Sequence, residues 1–407
     1  MQTQKVKLGI LVASINHNAM DSAFMPVLPE PSFYRALCIA GSKFGIDVYV
    51  FTADGFQQHS ESLFGYRLEH EHFVRQLVPL PDIIYDRCFF TEANQRINCR
   101  RMLSYLALAK PFQLLNGKLP GKLDVYEALK EDHMLSSYLP LTFSLQTSHQ
   151  PLELADRFRG GIILKPSSGM QGRGILHVKR CASQQSLQVK GRTRNNRSFT
   201  AAFKEDLAFE QWIDRFIKRT SYLVQPYLEL SGHDDKPFDL RVLIQKDEKS
   251  RWSISGVAIR TGQAGSLTSN LHGGGGASPA VMQLSAKFGE PKAERLLEMI
   301  HTISKQTAER LESKFGRLAE LGLDYGIDQS GRIWLLEANS KPGRSSFRII
   351  SDHEAERLSI ERPLIYARML SRRLSPSFVA NEFANGRRHH SSSNNQIRPF
   401  NVQEVHR

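Results

Sequence analysis

The sequence of 407 residues is poor in cysteine and has no long apolar run. None of its four cysteines forms a Cys-x-x-Cys pair, so we expect buried thiols in a reducing cytoplasm rather than disulfides or a zinc site. No stretch approaches the roughly 18 apolar residues that a membrane-spanning helix needs. The short apolar run near the start gives way at once to polar residues and lacks a cleavage pattern. It therefore predicts a buried first strand rather than a signal peptide.

Acidic residues are also scarce relative to basic ones, 41 against 54, which gives a net charge of +13. A surplus of this size suggests a polyanionic partner. The surplus is local, because residues 179–204 carry seven basic and no acidic residues, and residues 372–407 carry six basic and two acidic ones. Subtracting these local charges of +7 and +4 leaves +2 for the other 345 residues. The charge therefore indicates that these two segments bind an acidic acceptor or polymer, beside a nearly neutral body.

A chain of this length predicts two or three packed lobes. Residues 1–116 alternate apolar strands with helices, which predicts a small α/β lobe with a parallel sheet. Ser32 is expected to cap its first helix and Gly45 to end it. The predicted elements are strands at residues 6–13, 47–52, 82–88 and 113–116 and helices at residues 32–44 and 92–109.

The alternation of strands and helices ends near Gly117, and residues 117–371 are predicted to form a second region. The tail over residues 372–407 is rich in Ser, Asn and Arg and is predicted to be disordered. The second region's predicted elements are a helix from residue 122 to near 140, a strand–glycine loop–strand segment at 160–180, an amphipathic helix at 205–218, strands at 222–228, 239–245 and 253–259, a loop at 272–278, a helix at 290–315 that buries Leu296, Ile300, Ile303 and Leu311, and a hairpin at 322–340 turning at 328–331.

The first candidate site is Lys165 with the glycine-rich loop that follows it. Glycines let backbone N–H groups approach phosphate oxygens, and a nearby ammonium adds positive charge. The loop does not lead into a helix and lacks the Gly-Lys-Ser/Thr ending, so it is not a P-loop. An ordinary glycine-rich hairpin explains it equally well. The loop residues that would contact phosphate are Ser168, Gly169, Gly172 and Gly174.

The second candidate site combines Asp324, Glu337 and Asn339. Glu337 and Asn339 lie two apart on one predicted strand and share a face. A regular hairpin would put Asp324 opposite Leu335, with Glu337 as its diagonal neighbour roughly 7–8 Å away. Three oxygen-bearing side chains at that distance suit Mg²⁺. The alternative is a solvated polar strand face, which fits poorly because the strand is otherwise apolar.

Two further groups of residues have weaker signals. Asp239 and Arg241 share a strand face, and with Arg260 they could clamp a carboxylate or phosphoryl group, or simply form a cross-strand ion pair. Gln225 and Tyr227 flank Pro226, which cannot continue a ladder. The backbone groups freed there would suit recognition of an adenine edge.

Taken in chain order, these pieces resemble the ATP-grasp superfamily, in particular D-alanine–D-alanine ligase and the ribosomal-protein glutamate ligase. The ordered pieces are Lys122 before a helix, Lys165, the glycine loop, VQPYL, DLR, Arg260 and GLDYG…LLEANSKPG. The overall sequence is most similar to the YheC/YheD endospore coat-associated family of spore-forming bacteria. The segments behind that likeness are KLGILVAS, LPGKLDVYEAL, FDLRVLIQ, NLHGGGGA and EANSKPGR, and it covers roughly residues 5–370.

The resemblance implies ATP held between a lid lobe at about 141–226 and a C-terminal lobe at about 227–371. Lys122, Lys165 and the glycine loop would contact phosphates, and Gln225 and Tyr227 would line the adenine pocket. The residue after Gln225 is not acidic, unlike in many ligases, which leaves the ribose contacts open. Asp324, Glu337 and Asn339 would hold Mg²⁺, or Mn²⁺ in its place. Arg241, Arg260 and also Asn270 or Arg344 would face the γ-phosphate and acceptor.

The ligase relatives transfer the γ-phosphate to a carboxylate, and an amine then displaces phosphate from the acyl phosphate. Catalysis of this kind needs positioning and charge neutralisation rather than a nucleophilic side chain. The resemblance thus implies a cytoplasmic ATP- and Mg²⁺-dependent ligase associated with the spore coat. One alternative is a coat structural protein that binds nucleotide without turnover. A nucleic-acid-binding module rests on charge alone, since no reading helix or aromatic platform is recognisable.

Overall fold

The computed structural model describes residues 5–20, 23–169, 172–230, 236–269 and 274–372. The chain forms two compact units, and the first boundary between them along the sequence lies between Leu114 and Leu115. The first comprises the described residues up to 114 and the described residues from 368 onward, and the second comprises residues 115–367. Within the described ranges, no helix is both long and apolar enough to cross a membrane.

The first unit is built on a seven-stranded sheet. Its strands lie in the order β5-β6-β4-β1-β8-β9, with β7 beside β6, and β2 and β3 pair separately. The elements are β1 (Val6–Leu11), β2 (Asn16–Met20), β3 (Ala23–Val27), α1 (Pro31–Lys43), β4 (Ile46–Phe51), β5 (Phe56–Gln57), β6 (Ser62–Glu69), β7 (His72–Val78), β8 (Ile83–Asp86), α2 (Ala93–Ala109) and β9 (Gln113–Leu114).

The predicted parallel sheet is confirmed for β1, β4, β8 and β9. The sheet as a whole is mixed, because β6 pairs antiparallel with β4, β5 and β7, an extension that the sequence did not predict. The predicted cap at Ser32 is wrong: α1 begins at Pro31, whose fixed φ suits a first helical turn. Gly45 follows the end of α1 with a φ of +68°, as a helix stop requires.

The second unit contains two antiparallel sheets. The six-stranded sheet has the order β10-β15-β11-β12-β13-β14, and the five-stranded sheet the order β18-β17-β16-β19-β20. The elements are α3 (Lys122–Lys130), α4 (His133–Ser136), β10 (Phe143–Ser144), α5 (Gln150–Arg157), β11 (Ile162–Pro166), β12 (Leu176–Cys181), β13 (Ser186–Arg192), β14 (Ser198–Phe203), α6 (Asp206–Ile217), β15 (Tyr222–Pro226), β16 (Phe238–Lys246), β17 (Trp252–Thr261), β18 (Gly276–Pro279), α7 (Ala280–Phe288), α8 (Glu290–Phe315), β19 (Glu320–Ile327), β20 (Ile333–Asn339), α9 (Ser345–Ile349) and α10 (His353–Ser371).

The six-stranded sheet buries one face against α5 and α6. Leu164, Val178 and Val189 form a core there with Phe209 and Ile213 of α6. Because side chains alternate along a strand, the intervening residues of β11, β12 and β13 point to the opposite face. That opposite face, which no helix of this core covers, is the one that carries Lys165.

The five-stranded sheet packs against α3, α7 and α8. The four residues predicted to line one face of α8 are all buried in this core, together with Val125 and Leu129 of α3. On the other face, Leu243 and Ala258 pack against Phe347 of α9 and Ala355 of α10. Helix α3, and with it Lys122, is therefore anchored to the five-stranded sheet.

Three sequence predictions in this unit need correction. The predicted helix from residue 122 divides into α3 and α4, because the Asp132 side chain accepts hydrogen bonds from Met134 and Leu135 and starts a new helix. The predicted loop at 272–278 ends early, since Gly276 opens β18 opposite Thr261; residues 270–273 lie outside the described residues. The basic stretch at 188–204 forms the hairpin β13–β14, for which the sequence predicted no element.

Candidate functional site

A β-bulge in the hairpin β19–β20 shapes the candidate site. Tyr325 pairs with Leu335 but Asp324 pairs with Glu337, so Leu336 is an extra residue in β20. The predicted diagonal placement of Glu337 is therefore wrong. The turn shifts the pairing by one residue, since Asp328 N–H donates to the Arg332 carbonyl, and the inserted Leu336 shifts it by one more, which brings Glu337 directly opposite Asp324. The bulge also releases the Leu336 carbonyl, which accepts a hydrogen bond of 3.3 Å from Lys165 Nζ.

Two lysines reach this hairpin from different elements. Lys165 comes from β11 of the six-stranded sheet, and Lys122 is the first residue of α3. Lys122 Nζ lies 3.5 Å from Glu337 Oε2. Burial, and after it the neighbouring Lys122 ammonium, lower the pKa of Lys165 to about 8. Strand β11 and helix α3 thus contribute two amino groups to the space beside Glu337.

Arginine and aspartate side chains of alternating charge contact one another in this part of the five-stranded sheet. Arg241 binds Asp324 through Nε–Oδ1 and Nη2–Oδ2 contacts of 2.5 and 3.0 Å. Arg260 binds Asp239 through contacts of 2.6 and 2.7 Å and also lies 3.0 Å from Asp324 Oδ2. Ser269 donates a further hydrogen bond to Asp239. Of the two alternatives for these side chains, the structure shows the cross-strand ion pairs.

Burial and these arginines set the protonation of the two carboxylates. Burial alone would raise the pKa of Asp324, but the guanidinium groups of Arg241 and Arg260 outweigh it and lower the pKa to about 2. For Asp239, burial is the larger effect and raises the pKa despite the Arg260 guanidinium, with the Asp324 carboxylate adding to the rise. Asp324 therefore stays ionised at neutral pH.

Other polar residues hold the strand ends in place. Asn116, almost fully buried, donates to the carbonyls of Glu320 and Ser340 at 3.2 and 2.5 Å and accepts from Ala319 N–H at 2.8 Å. Arg344 is ion-paired with buried Glu320 and donates to the Pro342 carbonyl at 2.9 Å. These contacts make Arg344 an anchor of the segment after Asn339, not a group facing an acceptor. Asn270 lies outside the described residues.

The glycine loop connects β11 to β12. Ser168 and Gly169 are exposed, and Gly172 and Gly174 have positive φ values of 70° and 75°. A Cβ atom at Gly174 would lie 2.9 Å from the Tyr222 hydroxyl, which donates to the Gly174 carbonyl at 3.1 Å. Glycine is therefore needed at this position both for backbone conformation and for space. Residues 170 and 171 lie outside the described residues.

Gln225 and Tyr227 lie at the end of β15. Gln225 Nε2 donates to Thr142 Oγ1 at 2.7 Å. The expectation of free backbone groups is wrong for Tyr227, whose N–H donates to the Gly161 carbonyl at 3.0 Å. Its ring stacks on His177, with ring centroids 4.1 Å apart. His177 has no signal in the sequence, because only its register opposite Ile163 brings it to this face.

The oxygen ligands suit a hard cation in their chemistry. Asp324 and Glu337 are register partners, and Asn339 is two residues beyond Glu337 on β20. Carboxylate and amide oxygens are ligands of Mg²⁺. Within the described part of the chain, however, no group of three or more His, Cys, Asp and Glu residues is arranged as a metal site. Arg241, Arg260 and Lys122 balance the two carboxylates instead.

The two antiparallel sheets and the α/β unit before them make this an α/β protein with an ATP-grasp fold. The model of the YheC/D-like ATP-grasp family matches residues 111–370, which is more than half of the chain. The chain therefore belongs to the YheC/D-like ATP-grasp family, and the resemblance seen in the sequence is confirmed.

Curated relatives extend over most of the chain. The endospore coat-associated protein YheC of Bacillus subtilis is 29% identical over 282 residues, which are 69% of this chain and 75% of that protein. The endospore coat-associated protein YheD of the same organism is 28% identical over 381 residues, which are 90% of this chain and 80% of that protein. D-alanyl-alanine synthetase A from Vibrio cholerae superimposes with a TM-score of 0.47 and 12% identity, over 89% of this chain and 99% of that chain. The family assignment does not depend on this superposition.

Proposed function

We propose that the protein is an ATP-dependent ligase that joins a carboxylate to an amine through an acyl phosphate. The observation that supports this most is the meeting of Lys165 and Lys122 beside Glu337, at the bulge of β20. Positive side chains from strand β11 and helix α3, next to a pair of carboxylates, suit a triphosphate with its cation. In the reaction, a carboxylate oxygen would attack the γ-phosphorus and ADP would leave. The amine nitrogen would then attack the acyl carbon and phosphate would leave.

The nucleotide would lie between the two sheets of the second unit. Lys122 and Lys165 would contact the phosphates as point charges, and the backbone of the glycine loop, at Ser168, Gly169, Gly172 and Gly174, would close over them. Gln225 and Tyr227 would line the adenine pocket. The Tyr227 ring, already stacked on His177, offers a flat apolar surface at that end.

Asp324, Glu337 and Asn339 would hold Mg²⁺, with Mn²⁺ as an alternative. A bound divalent cation would supply neutralisation of the charge on the phosphate oxygens. In the present structure Asp324 is held by Arg241 and Arg260. With nucleotide bound, we propose that these arginines turn toward the γ-phosphate and the acceptor carboxylate, which would free oxygen atoms of Asp324.

The names of the relatives bear on where the protein acts. YheC and YheD of Bacillus subtilis are both named as endospore coat-associated. We propose that this chain is made in the cytoplasm of a spore-forming bacterium and becomes associated with the spore coat. The same names favour a second candidate function, a coat component that binds nucleotide without turning it over.

A trapping experiment separates the two candidates. Protein, ATP and Mg²⁺ are incubated with pooled amino acids and acidic peptides, and hydroxylamine traps acyl phosphate as a hydroxamate. The ligase proposal expects ADP and hydroxamate from the wild type and none from Glu337→Gln. Glu298→Gln, on the exposed surface of α8, is the matched control and should keep the activity. Tight ATP binding without hydroxamate across the pool would contradict the ligase and favour the coat component.

A further inference from the structure

The excess positive charge of the second unit has a defined place on the six-stranded sheet. Lys179 of β12 and Lys190 and Arg192 of β13 point to the same face, because Lys190 pairs with His177 and Lys179 with Gln188. Lys190 and Lys179 are diagonal neighbours, roughly 7–8 Å apart between Cα atoms. We call these three residues the basic face.

The basic face lacks local compensation. Lys179 and Lys190 are exposed, and no carboxylate of the described residues lies within ion-pair distance of either lysine or of Arg192. By contrast, Arg180 on the other side of β12 binds both Asp156 and Asp206. Arg192 Nε is buried, and among the described residues it has no hydrogen-bond partner. This nitrogen is shielded from solvent, although Arg192 as a whole is only half-buried and keeps its positive charge on this face.

The neighbouring strand leaves this face accessible. Ser198 and Thr200 of β14 pair with Arg192 and Lys190, and Ala202 pairs with Gln188. These small side chains do not cover the long basic ones. Strand β14 is the edge of the sheet, so an extended chain can reach the basic face across these short side chains.

The basic face also adjoins the proposed reaction centre. Arg192 Nη1 donates to Thr268 Oγ1 at 3.3 Å, and Lys190 Nζ lies 3.8 Å from the position that a Cβ of Gly265 would take. Ser269, next to Thr268, donates to Asp239, which is the partner of Arg260. A short loop that contains Gly265, Thr268 and Ser269 thus connects the basic face with the ion pair of Arg260 and Asp239.

We propose that the basic face binds the carboxylate-bearing substrate, and that this substrate is an acidic peptide. This inference rests on the proposed ligase function. Same-face side chains of an extended peptide are spaced about 6.8 Å apart, which is also the spacing of Lys190 and Arg192 along β13. Carboxylates on alternate residues of such a peptide would match these two cations.

The chemistry of the hairpin favours a peptide over a nucleic acid. Binding of single-stranded nucleic acid uses aromatic rings on which bases stack. The aromatic residues of β14, Phe199 and Phe203, point to the other face and pack against Trp212 of α6. His177 and Tyr227 already stack on each other and belong to the proposed adenine pocket.

The test measures binding of a fluorescein-labelled oligoglutamate peptide by anisotropy, without ATP. Lys190→Glu and Arg192→Glu are each expected to weaken binding roughly tenfold, since like charges would then face each other. Arg215→Glu makes the same charge change on α6, behind the sheet, and should alter the affinity by less than about twofold. Lys190→Gln and Arg192→Gln, which are less disruptive, should weaken binding in the same direction.

Several outcomes would overturn this inference. The first two are a loss of peptide affinity in Arg215→Glu as large as in the basic-face variants, and no loss of peptide affinity in the basic-face variants. The other two are a loss of ATP affinity in the basic-face variants as large as their loss of peptide affinity, and binding of an oligothymidylate competitor that is tighter than binding of the peptide. Failure of the ligase proposal is distinguishable. If peptide binding depends on the basic face but the trapping experiment yields no hydroxamate, only the ligase proposal is contradicted. Hydroxamate formation that is as fast in the basic-face variants as in the wild type contradicts only the inference.

Discussion

Buried side chains of opposite charge determine the character of the site. Arg260 and Asp239 are each less than one-tenth exposed, and so is Asp324. Isolated charges at such positions would be costly, and their mutual contacts make them tolerable. Removing one member would leave another buried and uncompensated.

We predict that Arg260→Met lowers the free energy of unfolding by about 3 kcal/mol, because it leaves Asp239 buried without a cation. Arg180→Met removes an arginine whose partners, Asp156 and Asp206, are half exposed, and should cost less than about 1 kcal/mol. The measurement is urea denaturation followed by tryptophan fluorescence. It reports the second unit alone, which contains all three tryptophans, Trp212, Trp252 and Trp334. Equal losses in the two variants would contradict the prediction.

Lys165 gives a prediction about pH. Burial and Lys122 lower its pKa to about 8, and phosphate contact needs the protonated ammonium. We therefore expect ATP affinity to be constant below pH 8 and to fall as pH rises above 8, by up to tenfold per pH unit. Lys165→Arg stays charged throughout this range and should remove the fall. Calorimetric titrations from pH 6 to 10 check this, and an identical fall in Lys165→Arg would assign it to another group.

At the scale of elements, the bulge in β20 is the feature that the sequence could not predict. The turn at 328–331 predicts the hairpin, and Asp328 and Gly331 form this turn with a 3.0 Å hydrogen bond, as expected. The pairing of Asp328 with Arg332 at the turn and the extra residue Leu336 each shift the register by one, and together they decide which residue faces Asp324. Its stabilising contact, from Lys165, comes from a strand about 170 residues earlier.

The distance along the chain between contacting residues also explains which other features could be predicted and which could not. Helix α8 repeats its apolar residues over many turns, so the core positions Leu296 and Ile300 could be predicted. The ion pair of Arg344 with Glu320, the hydrogen bonds of Asn116 and the stack of His177 on Tyr227 join distant parts of the chain. Local patterns contain no information about such partners.

The glycine loop gives a prediction at this scale. Gly174→Ala forces a residue with a Cβ into a φ of +75° and against the Tyr222 hydroxyl, so we expect a loss of stability of about 1–2 kcal/mol. Gly276→Ala is the matched control, because a Cβ there meets nothing within 4 Å. Urea denaturation is again the measurement. A Gly174→Ala protein as stable as Gly276→Ala would show that the loop does not hold this conformation.

At the scale of the whole molecule, the net charge of +13 describes two short segments rather than the body. Strand β13 carries two of these charges, Lys190 and Arg192, on one face, beside the proposed nucleotide site. Most of the folded chain therefore needs no polyanionic partner. The family match over residues 111–370 concerns the part of the chain that contains all the candidate site residues.

The central claim is that the second unit binds ATP at the lysines beside Glu337. Calorimetry with ATP and Mg²⁺ on the wild type, Lys165→Gln and Lys305→Gln tests it most directly. Lys305 is exposed on α8 and serves as the matched control. Loss of a charge-assisted contact should weaken ATP binding roughly tenfold to hundredfold in Lys165→Gln, with Lys305→Gln unchanged. No binding by the wild type, or equal affinities in all three proteins, would contradict the account.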